Sequence, residues 1–283
     1  MPRVAYVDGA YRDYADAKVS FEDRGYQFSD GVYEVILVRN GRQVDAEPHL
    51  ARLARSLDEL DMPAPCSTAG LEIIIAETLR RNRVRDGLVY LQVTRGVAAR
   101  DHVFPGSVRP VLVCTAKPRK WPGADAVPSG VAGITALDER WARCDIKSVG
   151  LLPNVLAKEK ARKAGAAEAI LVSAEGVVHE GGSSNVWIVD KDGALRTHPL
   201  GPRILGGVTR ATVKSLAEQA QLRVIEEAFT LKDLEEAAEV FVTSATSFVK
   251  PMVKVDGKQI ADGKVGPVSR RLFQDYNAYS LQG

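Results

Sequence analysis

Apolar residues recur along this chain at two spacings, every second position and every third or fourth, and the switches between them predict its elements. Residues 4–7 form a short apolar stretch ending at Asp8 and Gly9, a pair that favours a tight reversal, so a hairpin opens the chain and returns from Ala10. A second hairpin is predicted from the β-branched stretch 31–39, a turn at Asn40 and Gly41, and a return at 43–44. Leucines at helical spacing with arginines between them predict an amphipathic helix over 49–60 starting near Pro48, and a second helix follows over 71–85. Strands are expected at 88–95 and 110–115, which makes the first region α+β. Residues 117–133 are crowded with Pro and Gly and keep no period, so a boundary near residue 120 divides a domain of residues 1–120 from one of 121–283. Beyond it the pattern predicts strands at 131–135, 168–173, 186–189 and 239–243, helices at 154–163 and 208–221, and a hairpin at 254–257.

Composition narrows the class of molecule. The 283 residues carry 38 Lys+Arg against 36 Asp+Glu, and a formal charge of +2 supplies no electrostatic reason for a nucleic-acid partner. Hydrophobic residues at 45% and charged ones at 26% describe a chain able to bury a core, which excludes general disorder and a collagen-like rod. No stretch approaches the eighteen apolar residues that a membrane span needs, and charges stand where a signal peptide would place its apolar segment, so a cytoplasmic protein is expected. Cys66, Cys114 and Cys144 are too few and too far apart for a disulfide framework, which agrees with a reducing compartment. The four histidines and three cysteines show no metal-ligand spacing, so no metal is expected. Neither a Walker motif nor a dinucleotide fingerprint nor a nucleophile elbow is present.

Several residues have the chemistry of a site. Lys147 lies between Ile146 and Val149, where partial desolvation favours a neutral, nucleophilic amine; the bland alternative is a strand-edge lysine whose stem covers the core. Glu180 in GVVHEGGSSNVWIV adjoins turn-like glycines and serines, a combination suited to a heterocyclic cofactor, or simply a solvated turn. Arg52 on the first helix, GGVTR at 206–210 ahead of a helix N-terminus, and VTSATS at 242–247 after a strand could each hold a phosphate. A surface ion pair is the alternative for Arg52, and an ordinary glycine turn with a Thr cap for GGVTR. Arg100 and His102, two residues apart, can present a fixed cation and an imidazole to a carboxylate, with the Tyr33 hydroxyl as a further donor; a solvated loop and a core tyrosine are the alternatives.

Taken in order, FEDRGYQFSDGVYEVI, HLARLARS, LQVTRGVAARDHVFP, DIKSVGLLPNVLAKEKA, EAILV, GVVHEGGSSNVWIV, ILGGVTR and FVTSATS resemble the branched-chain and D-amino acid aminotransferase family, the fold type IV pyridoxal-phosphate enzymes. The resemblance runs from about Tyr6 to Val255. It implies an α+β protein with a small N-terminal α/β-sandwich domain, a larger C-terminal pseudo-barrel domain, and pyridoxal 5'-phosphate between them. Within the family, the pattern at Arg100, Asp101 and His102 resembles that of the D-amino acid transaminases, so the implied reaction moves an amino group from a D-amino acid such as D-alanine to a 2-oxo acid such as 2-oxoglutarate. Lys147 is then the Schiff-base lysine and proton carrier, and Glu180 faces the pyridine nitrogen. Arg52, Val208, Thr209, Ser244 and Ala245 receive the phosphate, and Leu205 packs on the ring. Tyr33, Arg100 and His102 form the trap for the substrate carboxylate, and a homodimer is implied in which Arg100 and His102 reach the partner's site. Ala245 and Gly206 depart from the family's frequent Thr and Lys, which removes a hydroxyl and a charge; Thr246 is a candidate replacement. A branched-chain L-amino acid transaminase, an aminodeoxychorismate lyase and a catalytically silent binding protein are the competing readings.

Overall fold

The computed structural model describes residues 3–107 and 109–282, which form two compact units. The first runs to Trp121 and takes in Ile146–Gly150; the second consists of Pro122–Asp145 and Leu151–Gln282. The segment carrying Lys147 thus belongs to the first unit although it follows the second unit's first strand in sequence.

The first unit contains β1 (Val4–Val7), β2 (Ala10–Asp13), α1 (Arg24–Phe28), β3 (Gly31–Arg39), β4 (Arg42–Gln43), α2 (Ala46–Asp58), α3 (Thr68–Asn82), β5 (Gly87–Thr94) and β6 (Val111–Pro118). Its six strands form one antiparallel sheet in the order β2-β1-β6-β5-β3-β4. Period-two alternation sends Ile36, Val89, Leu91 and Val93 to one face, where Leu50, Leu53 and Leu57 of α2 and Leu71, Ile75 and Leu79 of α3 complete the core. Both helices start earlier than the apolar spacing predicts. Pro48 falls in the first turn of α2, where a missing N–H costs nothing, and the Ser67 side chain accepts from Gly70 N to cap α3. Arg83, in the left-handed region at φ 54°, stops α3 short of residue 85.

The second unit contains β7 (Val131–Leu137), α4 (Leu152–Lys163), β8 (Glu168–Val172), β9 (Val177–Gly181), β10 (Asn185–Val189), β11 (Leu195–Thr197), α5 (Val208–Gln219), β12 (Val224–Glu226), β13 (Phe229–Thr230), α6 (Leu231–Glu235), β14 (Glu239–Ser244), β15 (Phe248–Val255), β16 (Lys258–Gln259) and α7 (Pro267–Gln282). Its sheet follows the path β12-β11-β10-β14-β15-β7-β8-β9-β13, with β16 beside β15. The central strands β8, β10 and β14 are buried on nearly every residue, which is why they read as unbroken apolar runs. Helix α7 has no counterpart among the predicted elements, because its buried face mixes Ser269, Asn277 and Ser280 with Leu272, Phe273 and Tyr276 and so shows little hydrophobic period. The Glu239 carboxylate accepts from Val268 N and Ser269 N at 2.9 and 2.8 Å and anchors the start of α7.

Candidate active site

Lys147 is placed by strand geometry. The N-terminal half of β3 has one hydrogen-bonding edge on β5; on the other, Tyr33 N donates to Lys147 O at 3.0 Å and Val149 N donates to Gly31 O at 3.0 Å. The residues around Lys147 therefore cap an edge that would otherwise expose backbone groups. Held there, the half-buried Lys147 sets its Nζ 4.2 Å from the centroid of the Tyr33 ring. Tyr33 stacks on Tyr90 with centroids 5.6 Å apart, and Tyr90 Oη donates to Gln92 Oε1 at 2.7 Å, so one face of β3 and β5 carries the lysine and a polar floor. Burial pushes the Tyr90 hydroxyl up to about 12, with Tyr33 adding to the effect, which keeps it a neutral donor.

The opposite face of β3 carries a group that sequence reasoning missed. Glu34 alternates inward from Tyr33 and meets α2, where the i,i+3 spacing of His49 and Arg52 puts both on the side facing it. Arg52 donates from Nε and Nη2 to the two carboxylate oxygens of Glu34 at 2.7 and 2.8 Å, and His49 Nδ1 lies 2.7 Å from Oε2. Burial alone would raise the Glu34 carboxyl, but the bonds from Arg52 and His49, with the charges of Arg52 and Lys147, bring it down to about 2. Arg52 is thus oriented by a buried carboxylate and is no surface ion pair. The signal available in sequence was the acidic residue within an otherwise apolar strand.

Arg100 and His102 lie in the loop after β5, both exposed, and both pack on Phe28 of α1. The Arg100 guanidinium is 4.5 Å from the ring centroid, and the His102 ring centroid is 5.5 Å away.

In the second unit, Glu180 departs from the expected turn: it lies on β9, buried, and the reversal follows at 182–184. A buried carboxylate requires donors. Glu180 Oε2 accepts from Asn185 Nδ2 and Leu205 N, each at 3.0 Å, and Oε1 accepts from Arg140 Nη1. Arg140 also donates from Nε and Nη2 to Asp138 at 2.9 and 2.8 Å, and Asp138 Oδ2 lies 2.8 Å from His179 Nδ1. Against its own burial, Asp138 is held well below the usual carboxylate range by Arg140 and His179. Arg140, Asp138 and Asn185 were not singled out from sequence, because 40 residues separate Arg140 from Glu180 and no local motif joins them. Asn185 Nδ2 also donates to Leu205 O at 2.9 Å, which ties the segment before α5 to Glu180.

Val208 and Thr209 open α5 after Gly207, whose position offers no side-chain cap to the first amides of the helix. Helix α5 packs against β14, whose last residue is Ser244. The turn after Ser244 brings hydroxyls together: Ser244 Oγ is 3.3 Å from Thr246 Oγ1 and also bonds Ser247 Oγ. Ala245 contributes no hydroxyl, and Thr246 is beside Ser244 in its place. This donor set, helix-start amides with the hydroxyls of Thr209, Ser244 and Thr246, fits a phosphate, and the multiply anchored Glu180 carboxylate fits a protonated ring nitrogen.

The lysine on the edge of β3 belongs to one unit, and the donor-rich helix start and the anchored carboxylate belong to the other; the family that the sequence resembles is that of the class IV aminotransferases. The chain belongs to that family: the model of Amino-transferase class IV matches residues 31–255. It is 44% identical to the D-alanine aminotransferase of Staphylococcus haemolyticus over 97% of this chain and 96% of that protein. It is 42% identical to the D-alanine aminotransferase of Bacillus licheniformis over 94% of this chain and 93% of that one. Among solved structures, the branched-chain aminotransferase of the archaeon Thermoproteus uzoniensis with norvaline superposes with a TM-score of 0.85 at 26% identity, covering 100% of this chain and 96% of that one.

Proposed function

We propose that this chain is a pyridoxal-phosphate-dependent D-amino acid aminotransferase, moving the amino group of a D-amino acid such as D-alanine to a 2-oxo acid such as 2-oxoglutarate. The observation that carries the reading is the Lys147 amine held over Tyr33 by the backbone pairing of its segment with β3. When bound, pyridoxal 5'-phosphate supplies a carbonyl that condenses with amines and a cationic ring that stabilises charge at the substrate α-carbon. Lys147 would hold the cofactor at rest, and its Nζ is the group that would take the substrate α-proton and return it. Glu180 keeps the ring nitrogen protonated, and its anchors at Arg140, Asn185 and Leu205 N prevent it from turning away. Arg52, the amides of Val208 and Ala245, Thr209 and Ser244 receive the phosphate, with Thr246 in support, while Leu205 packs against the ring.

Tyr33, Arg100 and His102 receive the substrate carboxylate. Fixing it on the side remote from the phosphate presents the α-hydrogen of a D-substrate, rather than an L-substrate, to Lys147. Arg100 and His102 serve the site of the partner in a homodimer, which accounts for their exposure on a single chain. The three cysteines are free and two are buried, which suits a reducing compartment, and we place the enzyme in the cytoplasm. Among the described residues no helix is long and apolar enough to cross a membrane.

The test has two parts. Borohydride reduction of the cofactor-loaded protein followed by peptide mapping should place a pyridoxyl adduct on Lys147; an adduct on another lysine, or none, overturns the assignment. Half-reactions with D- and L-alanine, followed by cofactor absorbance, should favour the D-isomer, and faster turnover of L-alanine refutes the stereochemical reading. Repeated turnover of aminodeoxychorismate to pyruvate in the absence of any oxo-acid acceptor would point to a lyase instead.

A further inference from the structure

We propose that Arg24 is a positioning residue for the substrate carboxylate, acting through the loop that carries Arg100 and His102; the inference rests on the carboxylate reading given above. Arg24 is 3% exposed and its guanidinium is spent on that loop. Nη1 donates to Asp101 O at 2.6 Å and lies 3.4 Å from Val103 O, so one cation grips the carbonyls on either side of His102. Nε donates to Asp30 Oδ2 at 2.8 Å, and the same oxygen accepts from Arg95 Nε at 2.8 Å.

Arg95 completes the clamp. Its remaining nitrogens donate to Leu60 O and Asp61 O at 2.7 and 3.1 Å, and its guanidinium lies 3.6 Å from the centroid of the Phe104 ring, which pins the far end of the loop. Arg24 also starts α1, the helix whose Phe28 receives both Arg100 and His102. Two buried guanidiniums sharing one carboxylate are poor stabilisers, since the desolvation of three charges is only partly offset. What the arrangement does achieve is to tie residues 101–104 to Asp30, the residue before β3. A carboxylate-binding pair on an unclamped loop would have to be ordered by each substrate, and that cost would appear in affinity.

R24M removes both branches of the grip, and R24K keeps a charge without the fork. F104A loosens the loop from an exposed position, where folding is not at stake. The readouts are KM for D-alanine, kcat, and the inhibition constant of propionate, which has the carboxylate but no amine. R24M is expected to raise KM and the propionate constant together by about tenfold or more, with kcat changed less than threefold and the bound-cofactor absorbance unaltered; R24K falls between, and F104A raises both constants about threefold. R100A serves as reference. If R100A raises both constants while R24M and F104A leave them unchanged, the positioning role is overturned and the carboxylate reading stands. If R100A leaves them unchanged, the carboxylate reading itself fails and takes this inference with it. Should R24M not fold, F104A decides: unchanged constants overturn the inference and a joint rise supports it.

Discussion

Glu34 takes both Nε and Nη2 of Arg52 onto its two carboxylate oxygens, at 2.7 and 2.8 Å, from a side chain with no exposed surface. The forked geometry fixes the guanidinium in direction as well as in place. An arginine assigned to a phosphate is thereby oriented from behind before any ligand arrives.

Replacing Glu34 by Gln should cost about 3–5 kcal/mol, because Arg52 would be left buried without its counter-charge. The sign with pH follows from the depressed carboxyl. Its folded value of about 2 lies below the ordinary 4.5, so the stabilisation is fully present above about pH 4.5 and lost as pH falls toward 2. Unfolding free energies of the wild type and E34Q, measured by urea denaturation from pH 7 to 2, should converge over that window. A gap that persists to pH 2 contradicts the assignment.

Arg140 stands between two buried carboxylates, and R140M should release both. Without it, only His179 is left to oppose the effect of burial on Asp138, and Glu180 loses its charged donor. A Glu180 with one anchor fewer would hold the ring nitrogen less firmly, so kcat/KM should fall about tenfold or more in R140M. An unchanged kcat/KM would show that Arg140 does not hold Glu180 in place.

Thr209 and Ser244 are assigned to the same phosphate. On the proposed reading each hydroxyl would donate to a charged acceptor, an interaction of about 1.5–3 kcal/mol, so T209A and S244A should each weaken cofactor binding by roughly tenfold or more. Equilibrium dialysis against pyridoxal 5'-phosphate measures this directly. Wild-type affinity in both variants would remove the pair from the phosphate site.

Gly207 offers a steric test of how the segment before α5 is tied to Glu180. A Cβ there would sit 2.1 Å from Asn185 Oδ1, although φ of −64° is open to any residue. G207A should displace Asn185 from Glu180 and weaken cofactor retention, with a loss of stability of about 1–3 kcal/mol. Thermal melts with and without cofactor check both effects; an unchanged melting temperature in both states would show that the space can open freely.

The hairpins at Asp8-Gly9 and Asn40-Gly41, the leucine repeat of α2 and the apolar runs of β8 and β14 were all legible along the chain, because turn chemistry and side-chain periodicity act over a few residues. So were Lys147, Glu180 and the Arg100/His102 pair as candidates, since unusual residue types in unusual local settings stand out one at a time. Their supports were not. Glu34 with His49 and Arg52, Arg140 with Glu180, and Arg24 with the carbonyls beside His102 are joined across 15 to 79 positions of sequence. Only the folded chain brings such groups together, and only burial makes a charge demand a partner. Local order along the chain therefore names the groups that react, whereas long-range packing chooses the ones that hold them still.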